Sequence, residues 1–401
     1  MAKLYLVGTY DTKAEELAYL AAILRRGAMH VVTVDLSSQS FGHDADIPPH
    51  EVAGFHPKGA DHVLGGTDRG PAVLAMGEAF ANFCSARQKD IAAIIGIGGG
   101  GGTAMVCAGL RALPYGIPKL MVSTLASGDM APYVGTSDTI VIPSVTDLAG
   151  LNRLSRNILH NAAQAVLGMV ASPYVRPIAE KPSIGLSMFG VTTPCVTQIT
   201  AALNQDYDCV VFHATGTGGR TLESLTDSGY LTGVMDMTLT EIADEVVGGV
   251  LCAGPDRLGA VARSRLPWVG SLGALDMVNF WAPETVPEAF SDRLFYHHNA
   301  NVTLMRTTVA ENVEIANWIA RKLNACRGQI RLLIPEGGLS ALDTPDGPFW
   351  NPEANAALFD TLQARVNQTA KRRIIRSPHH INDAAFSALA VQTFQDLIQD
   401  R

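Results

Sequence analysis

Five consecutive glycines, Gly98–Gly102, follow the apolar segment Ile91–Ile95, and a helical apolar pattern begins directly after them. A glycine-rich turn between a buried strand and a helix is typical of parallel α/β proteins, in which each helix leads the chain back to the next strand. The same order of elements opens the chain, with strand Leu4–Val7, a helix whose apolar face spans Leu17–Leu24, and strand His30–Asp35. The sequence therefore predicts an α/β fold with mainly parallel, doubly wound sheets.

Prolines separate two halves that repeat this alternation. Pro173, Pro177 and Pro182 mark a stiff connection, and new strands follow at Ile184–Gly190 and Cys209–Phe212. A chain of 401 residues is long for one hydrophobic core, which favours two domains. Residues 37–70, rich in His, Asp, Pro and Gly, are expected to form a long excursion of the first half. We predict an N-terminal α/β domain at 1–172, a proline-rich connection at 173–182 and a C-terminal α/β domain at 183–401.

Charge and composition exclude several classes of protein. Lys and Arg number 30 against 38 Asp and Glu, a net charge of −8, and no basic stripe suits a nucleic-acid backbone. No segment approaches the roughly 20 apolar residues that span a bilayer, and the first residues lack the pattern of a signal peptide. Six cysteines without a C-x-x-C pair indicate neither a zinc ribbon nor a redox dithiol. We therefore expect a cytoplasmic protein that binds a small ligand, with neither nucleic acid nor membrane as a partner.

The glycine run is the strongest local signal for a ligand. Glycines at the start of a helix can bring several backbone N–H groups to one point beside the positive end of the helix dipole, which suits a phosphate or a carboxylate. The run lacks the Gly-Lys-Ser/Thr of a P-loop, and no acidic residue follows at the spacing of a dinucleotide-binding fold. Close packing of strand and helix is the alternative explanation. The candidate binding residues are Gly98, Gly99, Gly100, Gly101, Gly102 and Thr103.

Two further polar turns follow predicted strands of the first half. Because ligands of open α/β sheets bind at the carboxyl ends of the strands, we expect these turns to lie near the glycine run. Lys13 could contact a phosphate, and Asp11 could hold Mg²⁺ or a ribose hydroxyl. Thr12 and Glu15 have the spacing of a capping box, so an ordinary helix start is the alternative. The candidate residues are Gly8, Thr9, Asp11, Thr12 and Lys13 in one turn and Ser127, Gly128 and Asp129 in the other.

The second half offers another glycine-rich turn and several histidines. The turn after Cys209–Phe212 could hold an anion on its amides with an arginine as a forked partner, or could be an ordinary turn. The histidine pairs at 297–298 and 379–380 are predicted to lie in loops, and an imidazole that titrates near neutral pH suits acid/base work. A metal would need ligands from both segments and a nearby carboxylate. The candidate catalytic residues are His213, His298, Glu336 and His380, and the candidate substrate-binding residues are Thr215, Gly216, Gly218, Gly219 and Arg220.

Several spaced motifs occur in an order that points to a known family. They are Gly8–Lys13, Gly98–Thr103, His298–Asn299 with Val302–Thr308, and Gly347–Phe349 with Pro352–Glu353. Together they resemble the bacterial uncharacterised family related to the N-terminal ATP-binding region of the tomato tobamovirus-resistance protein, over essentially the whole chain. The resemblance implies two Rossmann-like domains, ATP binding in the first and homodimerisation, but it supplies no reaction. It puts forward Gly8, Thr9, Asp11, Lys13 and Gly98–Thr103 as nucleotide contacts.

Three functional hypotheses remain open from the sequence. The leading one is a cytoplasmic ATP-binding protein that, if it is an enzyme, uses ATP and Mg²⁺ on a small metabolite in a cleft between the two domains. The second is a nucleotide-sensing dimeric interaction module without turnover. The third is an acid/base or metal-assisted hydrolase or lyase whose glycine turns hold a carboxylated metabolite.

Overall fold

The computed structural model describes residues 3–27, 30–38, 44–66, 68–175 and 180–399. The chain divides into two compact units, Met1–Arg176 and Pro177–Arg401. The division falls inside the predicted connection 173–182, of which residues 176–179, Pro177 among them, lie outside the described residues. Each unit is built on its own parallel sheet, which confirms the predicted α/β fold with two Rossmann-like domains. None of the helices in the described ranges combines the length and the apolar content needed to cross a bilayer.

The first unit contains five parallel strands in the order β2-β1-β3-β4-β5. The central strands are apolar and buried, as expected for a parallel sheet that is covered on both faces. The strands are β1 (Lys3–Gly8), β2 (Val31–Asp35), β3 (Ile91–Gly98), β4 (Lys119–Ser123) and β5 (Ile140–Pro143). The helices are α1 (Tyr10–Arg26), α2 (Pro49–Ala53), α3 (Ala60–Leu64), α4 (Arg69–Arg87), α5 (Gly100–Ala112), α6 (Ala131–Val134) and α7 (Arg153–Ala171).

Alternate residues of β1 face two separate cores. Leu4 and Leu6 pack with apolar residues of α1 and α7, whereas Tyr5 and Val7 pack with apolar residues of α4 and α5. This division follows from the strand itself, since successive side chains point to opposite faces of a sheet. The helices therefore cover both faces, and the carboxyl ends of the strands remain available for loops.

The second unit contains six parallel strands in the order β14-β13-β9-β8-β6-β7, with a smaller antiparallel sheet beside them. The parallel strands are β6 (Ser183–Met188), β7 (Asp208–His213), β8 (Gly233–Thr238), β9 (Trp268–Gly273), β13 (Ile330–Pro335) and β14 (Arg372–Ser377). The helices are α8 (Thr193–Leu203), α9 (Thr217–Asp227), α10 (Thr240–Val247), α11 (Gly259–Ser264), α12 (Val309–Ala325), α13 (Pro352–Arg365) and α14 (Ala384–Gln399).

The smaller sheet has the order β10-β12-β11 and consists of β10 (Met277–Phe280), β11 (Phe295–Asn299) and β12 (Val302–Arg306). Met277 and Leu304 from this sheet form one apolar cluster with Phe189, Val191 and Phe349. Phe189 and Val191 belong to the loop that follows β6, so the small sheet packs against the carboxyl end of that strand. The sequence pattern predicts only βα units in this region and misses the antiparallel sheet.

Both parallel sheets share one topology when the strands of each unit are counted separately. In each unit the second strand pairs with the first, and the third, fourth and fifth follow on the other side of the first. Connections from the first and third strands leave toward opposite faces in such a sheet, which opens a crevice at their carboxyl ends. This switch point lies between β1 and β3 in the first unit and between β6 and β8 in the second.

Candidate functional site

The glycine run forms the first turn of α5 directly after β3. Gly99 is the N-cap residue of this helix, and no side chain among the described residues caps it. Thr103 N–H donates to the Gly99 carbonyl at 2.8 Å, but the N–H groups of Gly100–Gly102 have no acceptor within the described chain. These three donors point out of a helix N-terminus, where the helix dipole favours a negative charge. The loop therefore presents a row of free amides at the switch point of the first unit.

Only one of the five glycines is required by local packing. A Cβ at Gly98 would lie 2.8 to 2.9 Å from backbone atoms of Gly102 and Thr103. At Gly99–Gly102 the nearest atom to such a Cβ is 3.4 Å away or farther, and none of the four has a positive φ. Alanine would fit at these four positions. Close packing of strand and helix thus explains Gly98 but not the four glycines that follow it.

Thr103 turns away from the crevice. Its side chain is buried and shares a 2.7 Å hydrogen bond with the Ser123 hydroxyl at the end of β4. The hydroxyl therefore ties α5 to β4, and Thr103 is not among the residues that line the pocket at the carboxyl ends of β1 and β3.

The turn after β1 differs from the predicted capping box. Helix α1 begins at Tyr10, ahead of Thr12, and the Thr12 hydroxyl is 2.8 Å from the Thr9 hydroxyl. Lys13 has non-helical φ and ψ angles, which kinks the first turn. Gly8 is buried, and a Cβ there would lie 3.0 Å from Leu17. A side chain at Gly8 would thus meet α1, whereas Thr9 and Lys13 reach the crevice.

The two turns line one polar pocket at the carboxyl ends of β1 and β3. Lys13 and Arg69 both line it, and the side chain of neither makes an ion pair or a hydrogen bond within the described chain. Asp11 is half-buried, and its Oδ1 is buried without a hydrogen-bond partner there. The remaining lining residues are Thr9, Thr12, Ser38, Val73, Gly99, Gly100, Gly101, Gly102 and Met105. The pocket thus combines free amide donors, two cations and one carboxylate.

The sequence interpretation missed Arg69 and Ser38, which lie in the segment 37–70 predicted as an excursion. Asp68 accepts a hydrogen bond from Gly70 N–H at 3.1 Å and caps α4, of which Arg69 is the first residue. Because a helix that connects parallel strands begins at their carboxyl edge, the start of α4 had to lie near the glycine run. Asp68, the N-cap residue, was the sequence signal that could have located the start of α4 and with it Arg69.

The third predicted turn does not join the pocket. Ser127, Gly128 and Asp129 are exposed, and none of them lines the pocket. Asp129 accepts a hydrogen bond at 2.9 Å from the N–H of Ala131, the first residue of the short helix α6. Thr124 is the residue after β4 that meets the glycine run, since its N–H donates to the Gly98 carbonyl at 3.2 Å.

The glycine-rich turn of the second unit already holds an anion of its own. Gly216 N–H and Gly219 N–H donate to Oε1 of Glu241 at 2.7 and 2.9 Å. Glu241 is fully buried, and its Oε2 accepts from Arg257 Nε at 2.9 Å. Two of the amides predicted to bind a substrate are therefore occupied by a side chain of the protein.

The neighbouring members of that turn are engaged as well. Arg220 is exposed and donates to the Thr217 hydroxyl at 3.2 Å and to the Cys252 carbonyl at 3.4 Å. The Thr215 hydroxyl donates to the His213 carbonyl at 3.3 Å. A Cβ at Gly218 would lie 1.8 Å from the His213 carbonyl oxygen, so this glycine is demanded by packing.

Arg257 binds Glu241, the carboxylate that occupies this turn. It is fully buried and pairs with Asp236, Glu241 and Glu223. Burial alone would lower the pKa of Arg257, but the three carboxylates outweigh burial and raise that pKa well above its ordinary value. The network ties α9, β8 and α10 together through charge-assisted hydrogen bonds.

The four candidate catalytic residues lie in different environments. His380 accepts a hydrogen bond at Nδ1 from Asn382 N–H, and its Nε2 is 2.9 Å from the Ser340 carbonyl, so the neutral ring with Nε2–H satisfies both contacts. Glu336 pairs with Arg376 at 2.7 Å. His213 stacks on Phe189 with ring centroids 5.3 Å apart.

His298 is exposed on β11, an edge strand of the small sheet, whereas the sequence pattern predicts a loop there. Across residues 3–399, leaving out the ranges that are not described, no hydrogen bond joins any two of the four candidates. The same residues contain no group of three or more His, Cys, Asp or Glu side chains arranged to hold a metal ion.

Fold and site together define a class of protein: two doubly wound α/β units, the first with an open, amide-lined pocket at its switch point. Comparison with protein families is more specific. The N-terminal domain of the uncharacterised protein family UPF0261 matches residues 2–174, and the C-terminal domain of that family matches residues 181–398. The chain therefore belongs to this family, as the motifs indicated.

Bacterial and plant relatives match almost the whole length of the chain. A UPF0261 protein of Mesorhizobium japonicum is 58% identical, with 99% of both chains covered. A UPF0261 protein of Clostridium tetani is 45% identical, with 96% of both chains covered. The ToMV resistance protein Tm-1 of Solanum lycopersicum is 39% identical, and the match covers 98% of this chain but 56% of the tomato protein.

Proposed function

We propose that the first unit binds ATP with Mg²⁺, with the phosphates in the pocket at the carboxyl ends of β1 and β3. The observation that supports this most directly is the row of amides at Gly100–Gly102, which lack acceptors within the described chain although the surrounding space would admit side chains. Glycines that packing does not require allow a ligand to approach the backbone closely. A phosphate chain is the ligand that several converging N–H groups at a helix N-terminus favour.

The charged side chains of the pocket agree with a polyphosphate. Lys13 and Arg69 supply two positive charges near the amides, and Arg69 Nη2 would lie 3.9 Å from a Cβ at Gly101. Asp11 would hold Mg²⁺, because carboxylate oxygens and water are the ligands that this ion prefers and Oδ1 has no other partner in the described chain. Mg²⁺ would neutralise part of the phosphate charge and bridge it to Asp11.

Calorimetric titration of the full chain with ATP, in the presence and absence of Mg²⁺, tests this function. We expect saturable ATP binding that weakens as the salt concentration rises, since salt ions screen the charges of a solvent-exposed pocket. Lys13→Ala and Arg69→Ala should each weaken ATP binding about tenfold, the effect of losing one charge-assisted hydrogen bond. Lys89→Ala is the matched control, because Lys89 is exposed in the segment just before β3, at the opposite edge of the sheet.

Two results would contradict the proposal. One is the absence of saturable ATP binding to the folded wild-type chain. The other is equal weakening by Lys89→Ala and Lys13→Ala, which would indicate non-specific attraction. Product analysis of the same mixtures, with light scattering, then separates an ATP-dependent enzyme from a nucleotide-sensing homodimer without turnover.

A further inference from the structure

A buried carboxylate stands behind the pocket, at the end of the strand next to β1. Asp35 is the last residue of β2 and is fully buried. In dinucleotide-binding α/β folds, an acidic residue near this position hydrogen-bonds the ribose of the ligand. Asp35 does not line the pocket, so its contacts indicate a different task.

Three donors converge on one oxygen of Asp35. Its Oδ1 accepts from Tyr10 N–H at 3.1 Å, from Ser37 N–H at 2.8 Å and from the Ser37 hydroxyl at 2.5 Å. The Ser37 oxygen in turn accepts from Asp11 N–H at 3.0 Å. The carboxylate therefore holds the backbone of residue 10 directly and that of residue 11 through one serine.

These contacts take up the first two backbone donors of α1. Thr9, the N-cap residue, makes no side-chain cap bond to the helix, so Asp35 and Ser37 provide the cap from the neighbouring strand. Of the described residues, α5 thus offers free amides to a ligand in the pocket, whereas α1 contributes side chains. The orientation of Asp11 and Lys13 depends on this turn, because one of the two fixed N–H groups belongs to Asp11 itself and Lys13 follows two residues later.

We propose that Asp35, acting through Ser37, is the positioning residue of the pocket: it fixes the turn after β1 so that Asp11 and Lys13 face the ligand, and it does not contact the ligand itself. This proposal rests on the proposed nucleotide site. The role needs an acceptor oxygen at Oδ1 and does not need the negative charge, which separates it from a role as ribose or Mg²⁺ ligand.

Asp35→Asn and Asp35→Ala distinguish the two roles, because asparagine keeps the acceptor and alanine removes it. We expect Asp35→Asn to bind ATP with Mg²⁺ within about threefold of wild type and Asp35→Ala to bind about tenfold more weakly. In hydrogen exchange, the amides of Tyr10 and Asp11 should exchange at least about tenfold faster in Asp35→Ala and near the wild-type rate in Asp35→Asn. Asp90→Ala, at an exposed carboxylate before β3, should change neither quantity.

Ser37→Ala keeps the test decisive if Asp35→Ala does not fold. It removes the acceptor of Asp11 N–H only, so exchange should rise at Asp11 and not at Tyr10, with a smaller loss of ATP affinity. The proposal is overturned if Asp35→Asn loses ATP or Mg²⁺ binding as completely as Asp35→Ala while amide exchange stays unchanged. If the wild-type chain binds no ATP, the nucleotide site fails, and the exchange of the two amides still decides whether Asp35 holds the turn.

Discussion

In the first unit the crevice between β1 and β3 is lined by amides and cations that have no partner within the described chain, whereas in the second unit the crevice between β6 and β8 is bridged by the protein's own groups. Thr192, in the turn after β6, and Thr238, the last residue of β8, share a 2.7 Å hydrogen bond. Glu241, three residues after β8, occupies the amides of the glycine turn beyond it. One topology thus supports an open pocket in one unit and a filled one in the other, because the loops decide what the strands' ends can bind.

The glycines of the two turns show the same contrast between free space in the first unit and close packing in the second. Gly218 and Gly219 would place a Cβ 1.8 Å from a carbonyl oxygen and 2.1 Å from the Glu241 carboxylate, so the folded structure demands glycine there. Gly100 and Gly101 would place a Cβ no closer than 3.4 Å to any neighbour. Gly218 and Gly219 serve packing in the second unit, whereas Gly100 and Gly101 leave room in the first unit that the described residues do not fill.

The largest effect is expected from Glu241→Ala, which removes the carboxylate that is bound to the glycine-rich turn of the second unit. This change leaves Gly216 N–H and Gly219 N–H without an acceptor and removes one of three carboxylates around Arg257. Breaking one partner of a buried ion pair costs about 3 to 5 kcal/mol, so the free energy of unfolding in urea should fall by roughly that amount. Glu241→Gln keeps an acceptor oxygen and should lose less.

Added anions test the same comparison of the two turns, through the stability of Glu241→Ala. Acetate or phosphate should raise the melting temperature of Glu241→Ala more than that of wild type, because the vacated amides become an anion site like the one proposed for the first unit. Unfolding of Glu241→Ala at the wild-type urea midpoint would show that the turn does not depend on its internal carboxylate.

A paired glycine substitution tests whether the two turns use glycine for different reasons. Gly218→Ala forces backbone to move and should lower the free energy of unfolding by about 1 to 3 kcal/mol. Gly100→Ala should change it by less than about 1 kcal/mol, since the methyl group has room and alanine favours the helix. If phosphate approaches the backbone of α5, Gly100→Ala should still weaken ATP binding about tenfold. Calorimetry and urea unfolding on the same samples measure both effects, and unaltered ATP affinity in Gly100→Ala would mean that the spare glycines do not serve phosphate binding.

Local patterns in the sequence predict much of this molecule. The strands that open each half, the end of α1 before Gly27 and the glycine turn after β3 follow from apolar runs and turn residues that lie next to one another in the chain. Fold class follows from their alternation. The position of the pocket follows too, because parallel strands bring their carboxyl ends to one edge.

What the sequence did not predict depends on contacts between residues far apart in the chain. Glu241 reaches the amide of Gly216 across 25 positions, and Ser37 accepts from Asp11 N–H across 26. No spacing rule reports such pairs. The Thr12–Glu15 spacing fits a capping box, but the helix began earlier because Asp35 supplies the cap from the neighbouring strand. Tertiary contacts overrode the local signal there.

The last effect depends on pH and concerns a carboxyl group buried at the carboxyl ends of the strands in the second unit. Asp276, in the turn between β9 and β10, is fully buried, and its Oδ2 accepts from the Ser340 hydroxyl at 2.8 Å. Burial, followed by the negative charge of Asp343, raises the pKa of Asp276 to about 7, although Arg306 opposes the shift. In the unfolded chain an aspartate has a pKa of about 3.9. Between these two values the folded state holds a proton that the unfolded state has lost, so the stability that this proton contributes is lost as pH rises toward 7.

Asp276→Asn should remove that dependence, because the amide is neutral at every pH and can still accept from Ser340. The free energy of unfolding of Asp276→Asn, relative to wild type, should therefore rise from pH 5 to pH 7 by at most about 1.4 kcal/mol per pH unit and level off above. Urea unfolding at several pH values measures this difference, with Asp346→Asn as the control at an exposed position of the same polypeptide half. Parallel pH curves for wild type and Asp276→Asn would mean that Asp276 is ionised in the folded protein. The second unit would then bury net negative charge at the carboxyl ends of its strands, whereas Lys13 and Arg69 place positive charge at the carboxyl ends of the strands in the first unit.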